Sequence, residues 1–157
     1  MYLFKRDVEA SCKKHIDKHK KNCSGFIRAV ASDLLILIPG ISQNADGQVE
    51  FMRLINTPDF QHLGDGQAGE IRAVNWASDG HFVICGMRSP ELQTHRPGRT
   101  INHGHVAVVV DGLGKTGWPL AYWGSLGGSP GIRESLSKSF RLSDRSAISY
   151  FGHIIPR

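Results

Sequence analysis

The sequence is poor in cysteine, and its pattern pairs none of what it has. Cys12, Cys23 and Cys85 are an odd set of three, which leaves no even disulfide framework. Cys12 and Cys85 are expected to be free core thiols. No two cysteines have the short spacing of zinc ligands, and His103-x-His105 has no thiol or carboxylate pair nearby, so neither metal nor cofactor is expected. Long apolar runs are also missing. The longest, Leu34 to Ile38, stops at Pro39-Gly40, far short of a membrane span. The first residues lack a basic start followed by an apolar core, so no secretory signal is expected. Repeats, low-complexity tracts and linkers are absent. The chain has 157 residues, enough for one real core and too few for two, so a single domain over 1–157 is expected.

What the chain does carry is positive charge, net +5 with pI near 9.3. Much of it sits in Lys13-Lys14-His15-Ile16-Asp17-Lys18-His19-Lys20-Lys21. No aromatic interleaves that run and no nucleic-acid motif follows it. An anionic polymer therefore fits better than nucleic acid. Phe4, Val8, Cys12 and Ile16 recur every four residues, which predicts a first helix from about Tyr2 to His19 with Cys12 on its buried face.

Chemistry enters with Asn22-Cys23-Ser24-Gly25-Phe26. Phe26, Val30 and Leu34 continue at helical spacing, predicting an amphipathic helix to about Leu37. Asn22 and Ser24 are residues that cap helix starts. A thiol in that first turn feels the positive end of the helix dipole and unpaired N–H groups. Both favour the nucleophilic thiolate. A second stretch, Gly104-His105-Val106-Ala107-Val108-Val109-Val110, is short and β-branched and reads as a buried strand opened by a histidine. A helix-start cysteine followed by a strand histidine is the skeleton of a papain-like site, in which imidazole activates the thiol. Permuted relatives carry the histidine first.

These two motifs, with Tyr122-Trp123-Gly124-Ser125-Leu126-Gly127-Gly128, closely resemble the type VI secretion amidase effectors, small NlpC-type cysteine peptidases that cut peptidoglycan. The resemblance runs from about Asp7 to the final strand and is loose between Ile41 and Asn102. It implies a papain-like NlpC-type α+β fold, with N-terminal helices packed on an antiparallel sheet. It implies peptidoglycan stem peptides as substrate, cut either between D-Glu and meso-diaminopimelate or at the D-Ala to diaminopimelate cross-link. It also implies delivery by the type VI apparatus from the producer cytoplasm to a recipient periplasm, and an immunity protein that plugs the cleft. Neither nucleic acid nor membrane is expected as a partner.

Within that reading Cys23 is the nucleophile, His105 the base, and the Cys23 backbone N–H an oxyanion donor. The group orienting His105 has to come from across a hairpin. Asp111 is six residues along the strand, roughly 20 Å away at strand rise, and cannot reach the ring. Ser125 faces His105 if the loop is centred near Gly114, and is the third catalytic candidate; a carbonyl of Trp123 or Gly124 would serve equally. Substrate contact is expected of Asn22, Ser24, Gly104, Trp123 and Gly124. Alternation places Tyr122 and Trp123 on opposite faces. His95 and His103 read as solvated loop residues.

The remaining elements are a helix from Asp46-Gly47 through Ile55, a loop from Phe60 to Gly66, and a short helix from Ala68 to Trp76. A strand at Gly80–Gly86 and a loop over Arg88–Ile101 follow. The strand from His105 returns as Leu120–Ser125, a polar stretch runs from there to Ile148, and a closing strand ends the chain.

Overall fold

A computed structural model describes residues 7–55 and 57–156. Among the described residues three helices come first, two helices are interleaved with the first strands, and four strands close the order: α1 (Val8–His15), α2 (Cys23–Asp33), α3 (Ala45–Leu54), β1 (Phe60–Asp65), α4 (Gly66–Ser78), β2 (Phe82–Met87), α5 (Ser89–Thr94), β3 (His105–Leu113), β4 (Pro119–Trp123), β5 (Gly131–Ser135) and β6 (Ser149–His153). The strands form one sheet in the order β1-β6-β2-β3-β4-β5, with every described pair antiparallel. The architecture is α+β, as the sequence predicts.

The sheet separates two cores, and the strand period of two decides which residue enters which. Val106, Val108 and Val110 join Phe26, Ile27 and Val30 of α2 on one face. Ala107 and Val109 join Ala73 of α4, Trp123, Leu136 and Phe140 on the other. Tyr122 and Trp123 part company in the way alternation requires. Cys12 and Cys85 are free, fully buried and in different cores, so they are far from pairing. At Gly86 an added Cβ would meet side-chain methyls of Val106 and Val49 at 2.8 Å, so the missing side chain lets α3 pack close on the sheet.

The first helix begins at Val8, with Asp7 accepting from the Ala10 N–H, and it tightens into a 3₁₀ turn over Ile16–His19. The predicted span from Tyr2 to Arg6, with Phe4, lies outside the described residues. The second helix stops four residues earlier than its apolar run suggests. Leu35 adopts φ 58°, its N–H donates to the Ser32 carbonyl, and the Ile36 N–H donates back to Ala31. That is a Schellman end. From there Leu34, Ile36 and Ile38 are buried while Leu35 and Leu37 are exposed, a period of two in place of the helical one.

Three stretches read as irregular are ordered. Phe60–Asp65 is not a loop but the edge strand β1, paired with β6 and bulged between His62 and Gly64. The Arg88–Ile101 loop contains the one-and-a-half-turn α5. The polar stretch before β6 holds β5 and two 3₁₀ segments, Leu136–Lys138 and Leu142–Ala147. Arg145 makes a forked pair with buried Glu70 of α4 at 3.0 and 2.7 Å, and Arg96 pairs with fully buried Asp144 at 2.9 Å. These pairs stitch the 136–147 segment to the α4 face.

Candidate active site

Cys23 is the first residue of α2. The Asn22 side chain caps that helix, accepting from the Gly25 N–H at 2.9 Å and from the Ser24 hydroxyl at 3.0 Å. Asn22 therefore sets the helix start, and Ser24 braces the cap. Of the three thiols, Cys23 alone is only half-buried. Across the sheet face, β3 begins at His105, and the Cys23 sulfur lies against the backbone of Val106, the next residue. Cys23 and His105 share the wall of one cleft of about 610 Å³.

The helix-start position does not leave the resting thiol acidic. Burial raises the Cys23 pKa, and Asp46 adds to it. Hydrogen bonding from the backbone of Val106, Ser24 and Cys23 itself works the other way but loses. Burial also lowers His105, to about 4, with the nearby Arg96 charge second. The helix dipole favours the thiolate, but desolvation is the larger effect here. At neutral pH the pair rests as thiol and neutral imidazole. That imidazole is the form able to accept a proton.

The ring of His105 is held on the α4 side. Trp123 and Phe140 meet it edge-on, with centroids 6.3 and 5.2 Å away. The hydroxyl on its Nε2 is that of Ser139, not Ser125. Ser139 closes the Leu136–Lys138 turn, where its N–H and that of Phe140 both donate to the Leu136 carbonyl at 2.9 Å. Ser125 does lie on the cleft wall, beyond the end of β4, but its N–H is tied to the Lys20 carbonyl at 2.8 Å and no described hydrogen bond joins it to His105. Nothing local in Leu136-Ser137-Lys138-Ser139-Phe140 marks Ser139; only its contact across the fold does.

The other expected contacts divide. Asn22, Ser24, Gly104 and Trp123 line the cleft. Gly124 does not: it is buried, and a Cβ there would strike the carbonyl of His19 and that of Asn22, at 2.8 Å from the latter. It is glycine so that β4 can back onto the turn that delivers Cys23. Gly104 is similarly hemmed in, by Asp46 and by the Met87 carbonyl at 2.7 Å. His103 is exposed on the cleft rim. Gln48, which sequence reasoning did not single out, is buried and donates to the Ser24 and Ile41 carbonyls at 3.1 and 2.9 Å, anchoring the first turn of α2 from behind. Among the described residues, no cluster of three His, Cys, Asp or Glu side chains is set to hold a metal.

No family model matches the chain. A relative from Pseudomonas aeruginosa, the peptidoglycan amidase Tse1, is 30% identical over 152 residues, which cover 90% of this chain and 85% of that protein. The chain belongs to the type VI secretion amidase effectors. This effector is accordingly an enzyme, and its helices on an antiparallel sheet fit the papain-like architecture of the family. No described helix of the effector is long and apolar enough to cross a membrane.

Proposed function

We propose that this chain is a single NlpC-type cysteine amidase domain, residues 1–157, that hydrolyses an amide bond in the stem peptides of peptidoglycan. The observation that carries the reading is the shared cleft. The half-buried Cys23 opens α2, His105 opens β3, and the sulfur rests on the backbone of Val106, the residue after that histidine. The relative's activity on peptidoglycan supplies the substrate class.

With Ser139 on Nε2, the Nδ1 atom is left for the thiol proton. In the forward step the sulfur attacks the amide carbonyl while His105 takes the proton. The tetrahedral oxyanion forms at the start of α2, with the Cys23 N–H as its donor. His105 then gives the proton to the amine as the C–N bond breaks, leaving a thioester. Water, deprotonated by the same imidazole, releases the acid and restores the thiol. Ser139 orients the ring; Trp123 and Phe140 fix its plane. The chemistry needs no cofactor.

The bond cut is either D-Glu to meso-diaminopimelate or the D-Ala to diaminopimelate cross-link. The biological reading is an antibacterial effector passed by type VI secretion from the producer cytoplasm to a recipient periplasm. A cognate immunity protein would block the cleft. Digestion of purified sacculi with wild type and Cys23→Ala, followed by sizing of the fragments, tests substrate and bond together. Soluble muropeptides released by wild type alone are expected. Intact sacculi after prolonged digestion would defeat the proposal.

A further inference from the structure

Arg96 is more than the partner of a buried acid. It lines the catalytic cleft and also a side cavity of about 450 Å³, and Lys138 and Ser139 line both as well. The two spaces therefore meet at the residue that holds His105. The side cavity adds Arg141 to its wall and has no carboxylate there. Among the described residues Asp46 is the one acidic residue lining the catalytic cleft, and its oxygens already accept from the Ser89 N–H and hydroxyl.

The cations at this junction are not spent. Arg96 gives one Nη2 to Asp144, while its buried Nε has no partner and Nη1 makes no described hydrogen bond. Lys138 is two-thirds exposed and meets Glu134 only in a surface pair at 2.8 Å, which is weak and easily exchanged. A guanidinium and an ammonium facing one polar space, beside the hydroxyls of Ser137 and Thr116, are the chemistry that recognises a planar carboxylate.

We propose that Arg96 and Lys138 form a subsite for a free carboxylate of the substrate, next to the scissile amide. This rests on the stem-peptide reading above, since each stem peptide carries free carboxylates beside its peptide bonds. Charge supplied by the substrate also has a consequence at the base. Arg96 is the charged residue that lowers His105, and a bound carboxylate offsets it.

The test uses the intact enzyme and a soluble stem peptide, alongside versions in which each carboxylate in turn is converted to carboxamide. One conversion is expected to raise KM about tenfold, the scale of one lost charge-assisted contact, with a smaller change in kcat. Lys138→Gln should raise KM severalfold on the parent peptide and by clearly less on that carboxamide. It leaves the Arg96–Asp144 pair in place, so folding is not at stake. For the parent peptide alone, the acid limb of kcat should lie at higher pH than that of kcat/KM. Equal KM for parent and every carboxamide, or an equal Lys138→Gln penalty on both, overturns the subsite while the amidase reading stands. Failure to cleave any of the peptides overturns both.

Discussion

The two faces of the sheet do different work and are built differently. The α1–α3 face carries Cys23 and is held by apolar packing, with Phe26, Ile27, Val30, Val106 and Val108 fully buried. The α4 face carries the ring of His105, and to an apolar core of its own, Val83, Leu136 and Tyr150 among it, adds polar pairs that span long stretches of sequence: Arg145–Glu70, Arg96–Asp144 and Ser139–His105. Placing the proposed nucleophile takes a helix and a cap, both local. Placing the proposed base takes a ring plane and a filled nitrogen, and here the nitrogen's partner and one of the two edge-on rings come from a segment more than thirty residues downstream.

The largest effects should ignore this difference. On the proposed mechanism nucleophile and base act as one unit, so Cys23→Ala and His105→Ala are each expected to cut stem-peptide hydrolysis at least about a thousandfold. Initial rates at neutral pH measure this. A His105→Ala enzyme that keeps a tenth of wild-type rate would separate the two faces after all. Next in size is Asp144→Ala, which strands Arg96 in the α4 face. It should cost about 3 kcal/mol of stability in a denaturant titration. Phe26→Ala on the other face should cost as much, through a cavity. If only Phe26→Ala destabilises, the polar face is not structural.

Ser139→Ala is expected to lower kcat about tenfold with near-wild-type stability, as a lost orienting hydrogen bond would. Ser125→Ala should do clearly less, and rescue by Thr at 139 would separate a hydroxyl requirement from packing. The reverse ranking would return the orienting role to the hairpin. Smaller still is the effect of acid. His105 has a folded pKa lowered to about 4, so the unfolded chain takes up a proton that the folded one refuses. Its contribution to stability is present above the unfolded value of about 6.5 and is lost as pH falls toward 4. Tm measured from pH 7 to 4 should fall less in His105→Asn than in wild type. His103→Ala, on the exposed rim, should stay within about twofold of wild-type rate.

The sequence reading succeeded where order is local. Asn22 capping, the α2 face, the β3 valines and the opposite facing of Tyr122 and Trp123 follow from periods of 3.6 and 2. It failed where partners are distant. Phe60–Asp65 holds Gly64 and polar residues and becomes a strand only because β6 lies beside it. The run to Leu37 reads as helix because nothing in an apolar run announces a left-handed Leu35. Ser139 went unseen for the same reason as β1: its meaning is a contact, not a pattern. Desolvation escaped as well, since a sequence displays the dipole at a helix start but not how much protein covers the thiol.

The last strand of the chain is an inner one, with β6 seated between β1 and β2. Translation therefore delivers the parts out of working order. Cys23 and His105 both leave the ribosome while β1 and β2 still lack their shared neighbour, and the Ser139 and Asp144 turn follows later. A nascent chain holds a thiol and an imidazole but no finished sheet to aim them. Hydrolysis becomes available only once β6 has filled the gap left for it between β1 and β2.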